Sequence, residues 1–261
     1  MEVIIKRSSV EVSHLAARIV AHQVKRKPDS VLGLATGATP ELMYSSLAHM
    51  HRDEKLDFSR VTTFNLDEYV GLAANHPHSY HHYMETNFFS HVNIPKERIH
   101  IPDGLAKDIP ASCREYEAAI HAAGGIDLQV LGLGTDGHIG FNEPSSSLSS
   151  RTRIKTLTEQ TVDANRRFFS KGEKVPHHVI TMGVGTIREA RCCILIAYGE
   201  GKADAVARMV EGPITAMVPA SVLQLHENTI VIVDEESARN LARRDYYHFV
   251  YNNKVAWQRY E

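Results

Sequence analysis

The chain has 261 residues, 43% of them hydrophobic and 23% charged, and 29 Lys+Arg against 31 Asp+Glu leave a formal charge of −2. That length buries a sizeable core, and the ordinary composition excludes disordered, collagen-like and fibrous classes. The near-neutral balance supplies no basic field for nucleic acid, no apolar run reaches the ~18 residues that span a bilayer, and the start Met1-Glu2-Val3-Ile4-Ile5-Lys6-Arg7 lacks the apolar stretch of a secretory leader. Cys113, Cys192 and Cys193 are an odd set without CxxC spacing, as expected of reduced thiols in a cytoplasm. The unusual count is 16 histidines, which raises the question of metal or proton chemistry.

In chain order, Val10–Lys27 places Val12, Leu15, Ile19 and Val24 on one helical face, with Lys25, Arg26 and Lys27 at its C-terminal end. A strand is expected over Val31–Thr36. Thr39-Pro40 then reads as the N-cap and first turn of a helix to Met50. Further strands are expected over Val61–Asn65, more weakly over Ile99–Ile101, and over Asp127–Leu133, Val179–Val184, Cys193–Tyr198 and Thr229–Val233. Helices are expected over Ala111–Ala123, stopped by Gly124-Gly125, and over Gly201–Glu211 and Glu235–Arg243. Several strands are near-continuous apolar runs, as in a sheet covered on both faces. The pattern predicts an α/β fold: one domain over residues 1–261, a doubly wound, mostly parallel, Rossmann-like sheet of about seven strands, and helices on both faces.

Ligands of such folds sit beyond the carboxyl ends of the strands, so the loops there carry the chemistry. Thr36, Gly37, Ala38 and Thr39 form a turn between strand and helix whose N–H groups and hydroxyls suit a phosphate; it also reads as a plain capped turn, and no Lys-Ser/Thr follows to make it a Walker loop. Asp67 and Glu68 follow the next strand, either as a general base or as a cap for the next helix. Gly132, Gly134 and Gly137 spell GxGxxG, but Asn142-Glu143-Pro144 interrupts any long helix and excludes a dinucleotide site. What remains is Asp136, His138 and Glu143 on one glycine-rich loop, which reads either as a proton-transfer unit in which a carboxylate fixes the imidazole tautomer or as a loop whose Asp and His satisfy turn backbone groups. His76, His78, His81 and His82 resemble a metal cluster but lack a second group with ligand spacing, so no metal is expected.

The chain resembles the glucosamine-6-phosphate deaminase family along nearly its whole length. The resemblance is carried by the Thr36–Pro40 turn, by Phe64-Asn65-Leu66-Asp67-Glu68-Tyr69-Val70-Gly71-Leu72, by Gly134-Thr135-Asp136-Gly137-His138-Ile139-Gly140-Phe141-Asn142-Glu143-Pro144, and by Ser147–Leu157. It implies a cytoplasmic enzyme that turns glucosamine 6-phosphate and water into fructose 6-phosphate and ammonia in amino-sugar catabolism, with no cofactor and no metal. It implies that Asp67 moves a proton between C2 and C1, that His138 assists ring opening, and that Asp136 and Glu143 set the orientation and charge of His138. Phosphate contacts would come from Thr36–Thr39, Arg167 and Lys202.

Some members of that family are hexamers activated by N-acetylglucosamine 6-phosphate, which implies a homo-oligomer here and makes Ser146, Arg153, Lys155 and Thr156 candidate activator contacts. Two departures weaken activation: His248 stands where activated members carry Tyr, and Thr215–Ser221 lacks their His-Met-Trp pattern. Two other functions stay open. A 6-phosphogluconolactonase of the same fold would use Asp136 and His138 without requiring Asp67, and a sugar-phosphate sensor would keep Thr36–Thr39 and Lys202 but lose the acids. No appended helix-turn-helix is evident for a sensor, and no nucleic-acid or membrane partner is expected.

Overall fold

The computed structural model describes residues 1–166, 169, 172–255, 258 and 260. Arg167, an expected phosphate contact, therefore lies outside the described residues. Among the described residues the strands are β1 (Glu2–Lys6), β2 (Val31–Leu34), β3 (Thr62–Asn65), β4 (Asp67–Tyr69), β5 (Ile99–His100), β6 (Leu128–Leu131), β7 (Arg153–Thr156), β8 (His178–Thr181), β9 (Cys193–Ala197) and β10 (Thr229–Asp234). Among the described residues the α-helices are α1 (Ser9–Arg26), α2 (Glu41–Glu54), α3 (Tyr80–Asn87), α4 (Ile109–Ala122), α5 (Glu159–Arg166), α6 (Val184–Arg188), α7 (Ala203–Val210) and α8 (Arg244–Asn252).

Seven strands form one sheet in the order β1-β10-β9-β6-β2-β3-β5, with every pair parallel. Its apolar runs make sense because successive side chains enter different cores. Ile194, Ile196, Ile230 and Ile232 pack with the buried faces of α1, α2 and α3. Cys193, Leu195, Val231 and Val233 pack with Ile120 of α4, Ile187 of α6 and Val206 of α7. The expected doubly wound α/β sheet of seven strands is thus present. α1 starts where Ser8 accepts from the Glu11 N–H at 3.3 Å, and it keeps Lys25 and Arg26 in its last turn.

Three expectations are corrected. The run at 179–184 is not in the main sheet: β8 pairs antiparallel with β4 and β7 in a separate three-stranded sheet, and β1 supplies the seventh strand of the main one. A short buried run has the same appearance in either setting, because burial does not report strand direction. The expected helix over 235–243 is a series of turns. The Asp234 carboxylate there accepts from the Ser237 N–H at 2.8 Å and hydroxyl at 2.6 Å, and this local bonding competes with a helix. Thr39 is not the cap of α2; Pro40 holds that position without a side-chain bond.

The site's position follows from strand order. From β2 the chain moves outward to β3 and β5, then returns to the other side of β2 as β6 before continuing to β9 and β10. The loops after β2 and β6 therefore diverge and leave a crevice at the carboxyl edge of the sheet.

Candidate active site

A cavity of about 360 Å³ occupies that crevice. Thr36–Thr39 after β2, Asp67 at the β3–β4 joint and the β6 loop with Asp136 and His138 line it, and Lys202 stands beyond β9. The structure thus brings together every described residue expected to act on the sugar or its phosphate, apart from Glu143.

Asp67 sits where the chain leaves one sheet for the other. The Leu66 N–H donates to the Leu34 carbonyl in the parallel sheet, and the Leu66 carbonyl accepts from Met182 N–H beside the antiparallel one. Asp67 then pairs with Thr181 across β8. Its side chain is 5% exposed, and its carboxyl is pushed up to about 8. Burial is the main cause and the charge of Glu68 adds to it, while the Thr36 hydroxyl pulls the other way. A carboxyl so raised is a competent base at neutral to mildly alkaline pH. Gly140, at φ +55°, passes close by: a Cβ there would stand 3.5 Å from Asp67 Oδ2.

Facing Asp67, His138 Nδ1 stands 2.6 Å from Asp136 Oδ1 in a close ion-pair approach rather than an aligned hydrogen bond. The His138 backbone N–H donates to the same oxygen at 3.1 Å. Burial works to raise the Asp136 carboxyl, but the adjacent His138 side chain and backbone outweigh it, and the group is held below its ordinary value. Asp136 is therefore an anion that orients the ring and supports positive charge on it. Gly134 is required for the fit, because a Cβ there would stand 2.3 Å from the imidazole.

At the other end, Gly37 takes φ +92°, and three tyrosines tie down the turn's carbonyls. Tyr44 donates to Ala35 at 2.6 Å, Tyr83 to Gly37 at 2.7 Å and Tyr198 to Ala38 at 3.0 Å. The N–H groups of residues 36–39 donate to no carbonyl or side chain among the described residues. Such donors beside the N-terminus of α2, with Lys202 across the cleft, have the chemistry that suits an anion.

The family model for glucosamine-6-phosphate isomerases/6-phosphogluconolactonase matches residues 7–232. The chain belongs to this family. It is 55% identical over 258 residues to a glucosamine-6-phosphate deaminase of Arthrobacter sp. (strain FB24), covering 99% of each chain. It is 51% identical over 245 residues to one of Thermoanaerobacter sp. (strain X514), covering 94% of this chain and 97% of that one. A solved structure described as a monomeric glucosamine-6-phosphate deaminase superposes with a TM-score of 0.89 at 46% identity, over 92% of this chain and 100% of that one. A 6-phosphogluconolactonase from Trypanosoma brucei, at 20% identity and a TM-score of 0.72 over 92% and 98% of the chains, shares the fold.

Within this family member, Glu143 departs from its expected place beside His138. Its carboxylate accepts from the Thr158 N–H at 3.1 Å, from the Thr158 hydroxyl at 2.8 Å and from the Thr161 hydroxyl. Thr158 caps α5, so the acid is drawn to the positive end of that helix. Among the described residues, Asp136 is the acid that pairs with the imidazole. Of the candidate activator residues, Arg153, Lys155 and Thr156 lie on β7 and Ser146 in the loop before it. Arg153 donates to Asn142 Oδ1 at 2.9 Å, and Lys155 shares its face of β7. Thr156 leaves by the opposite face, Ser146 is buried in the loop after Glu143, and His248 on α8 lies 3.5 Å from Glu235.

Several lining residues escaped the sequence reading. Tyr80 opens α3 and lines the cleft, with its ring 5.1 Å from that of Tyr69 and 6.2 Å from that of Phe141. Burial pushes its phenol well above the usual range, so it stays neutral. Thr161 and Asn165 reach in from α5, where Asn165 also donates to the Tyr69 hydroxyl at 2.9 Å. Ser79 was the available signal for Tyr80: as N-cap it accepts from His82 N–H and starts a helix directly over the Asp67 strand. Of the clustered histidines, His76 and His78 each approach Glu173 at 3.1 Å, and His81 approaches Glu68 at 2.8 Å.

Proposed function

We infer that this cleft converts glucosamine 6-phosphate and water to fructose 6-phosphate and ammonia. The observation that carries the inference is a buried carboxyl at Asp67 facing an Asp136–His138 pair, in one cavity whose far end is built for an anion. The phosphate anchors at Thr36–Thr39 and Lys202 and holds the sugar against the acids. His138 accepts the proton of the anomeric hydroxyl as the C1–O5 bond breaks, and O5 takes up a proton, leaving a C1 aldehyde. That aldehyde acidifies the C2 proton. Asp67 removes it as O1 takes up a proton, giving the enolamine, and then delivers a proton to C1, which leaves a protonated imine at C2. Water adds to C2, ammonia departs, and the ketone of fructose 6-phosphate remains. Asp136 stabilises positive charge on His138, and Glu143 supports the same loop from α5. A lactonase would not need a raised base at Asp67, and this residue favours the deaminase.

The assay is direct. Glucosamine 6-phosphate mixed with the enzyme should yield ammonia and fructose 6-phosphate in equal amounts, and no ammonia at micromolar enzyme would refute the reading.

The proposal extends to residues 1–261 acting as one catalytic domain in a cytoplasm. No helix among the described residues is long and apolar enough to cross a membrane, and Cys113, Cys192 and Cys193 are free thiols. It also extends to a homo-oligomer, supported by the exposed Tyr246, Phe249 and Val250 on α8, and to activation by N-acetylglucosamine 6-phosphate through Ser146, Arg153, Lys155 and Thr156. Light scattering tests the first: the 29.2 kDa mass of a single chain would contradict it. Substrate saturation curves unchanged by N-acetylglucosamine 6-phosphate would remove the second.

A further inference from the structure

Asp67 and Glu68 are neighbours on β4, so their side chains leave by opposite faces. Asp67 enters the cleft, and Glu68 turns to the start of α3. The Glu68 side chain is 1% exposed and fully engaged. It accepts from the N–H groups of Tyr69 at 2.8 Å, Tyr80 at 2.9 Å and His81 at 3.0 Å, and it lies 2.8 Å from His81 Nδ1. The His81 side chain is 33% exposed and reaches solvent. A carboxylate at a helix N-terminus is stabilised as an anion. This one also fixes the backbone of Tyr80, which lines the cleft.

We propose that Glu68 and His81 are a positioning pair for the reaction: together they seat Tyr80 and set the electrostatic field at Asp67. The proposal rests on Asp67 being the base. The groups facing Asp67 are Glu68 on its own strand, Tyr80 on α3, Tyr44 on α2, Tyr116 on α4, Asp136 and His138 on the β6 loop, and Lys202 across the cleft. Facing Glu68, His81 is the titratable side chain in contact at 2.8 Å; His82 and Glu85 on α3 and Asp103 beside Gly104 are exposed. Positive charge placed beside Glu68 offsets its repulsion of Asp67 and lets that carboxyl ionise more readily, and loss of the partner leaves the repulsion in force.

The test is the acid limb of kcat/KM for glucosamine 6-phosphate, which reports the base in the free enzyme. Removing the Glu68 charge in Glu68→Gln should move that limb down by about one pH unit. His81→Lys, which places a lasting positive charge beside Glu68, should move it the same way. His81→Phe, which removes the partner, should move it up. The His81 variants keep the backbone bonds to Glu68, so they decide the matter even if Glu68→Gln does not fold. A purely structural pair would lower kcat equally at every pH, and acid limbs that superimpose on the native one overturn the proposal. Failure of the underlying reading shows separately, as full turnover in Asp67→Asn.

Discussion

Replacing Asp67 with Asn removes most turnover, on the order of 10²–10⁴-fold in kcat, while KM for glucosamine 6-phosphate stays within a few fold. Asn keeps the shape at the β3–β4 joint and can still bond the Thr36 hydroxyl but cannot take the C2 proton, and Gly37–Thr39 and Lys202 of the proposed phosphate site are untouched. The same variant is more stable than the native chain in alkali. The folded carboxyl is raised to about 8, so the native state holds its proton more tightly than the unfolded chain does. That contribution to stability is full below about pH 4, falls as pH rises, and is gone above about 8. Asn has no such dependence, so the stability gap between variant and native chain should open across that window. Above about pH 9 it reaches up to about 5 kcal/mol. Denaturant unfolding at several pH values checks this, and parallel stability curves would contradict the raised carboxyl. Lost activity with gained stability is expected of a group buried for chemistry rather than for folding.

Replacing His138 with Gln lowers kcat by about 10²–10³-fold for a different reason. Gln can hydrogen-bond but does not carry a proton between the anomeric hydroxyl and O5, and the Asp136 anion loses the imidazole it orients. The two variants therefore fail at different steps. Steady-state kinetics on purified His138→Gln gives the first check, and turnover within a few fold of native would remove the ring-opening role.

The place of this site was legible in the residues themselves, and the roles of Asp67 and Glu143 came only through the family resemblance. Asp67, Asp136, His138 and the Thr36–Thr39 turn all follow apolar strands, and the doubly wound fold places such loops at one edge. What was hidden depended on distant partners. Glu143 sits five residues beyond His138, yet its partners Thr158 and Thr161 lie 15 and 18 residues further on, on the cap of a helix that the periodicity did not reveal. Glu68 is bound 13 residues away by His81, so a carboxylate that reads as a loop acid is buried. The same long-range logic misplaced β8. Val179–Thr181 is as apolar as the core strands, but its pairing with Asp67–Tyr69 depends on the bend at Leu66. β1 escaped because a five-residue strand at the chain start was weighed only as a leader, although Val3, Ile4 and Ile5 are all buried between the two cores.

The central claim is that the cleft divides its work, with ring opening at Asp136–His138 and proton transfer at Asp67. The measurement that tests it most directly is exchange between the α and β anomers of glucosamine 6-phosphate, followed by NMR beside ammonia release. Anomer exchange requires ring opening alone. Asp67→Asn should accelerate exchange as the native enzyme does while releasing almost no ammonia, and His138→Gln should accelerate neither. Loss of exchange in Asp67→Asn, or native exchange in His138→Gln, would contradict the division.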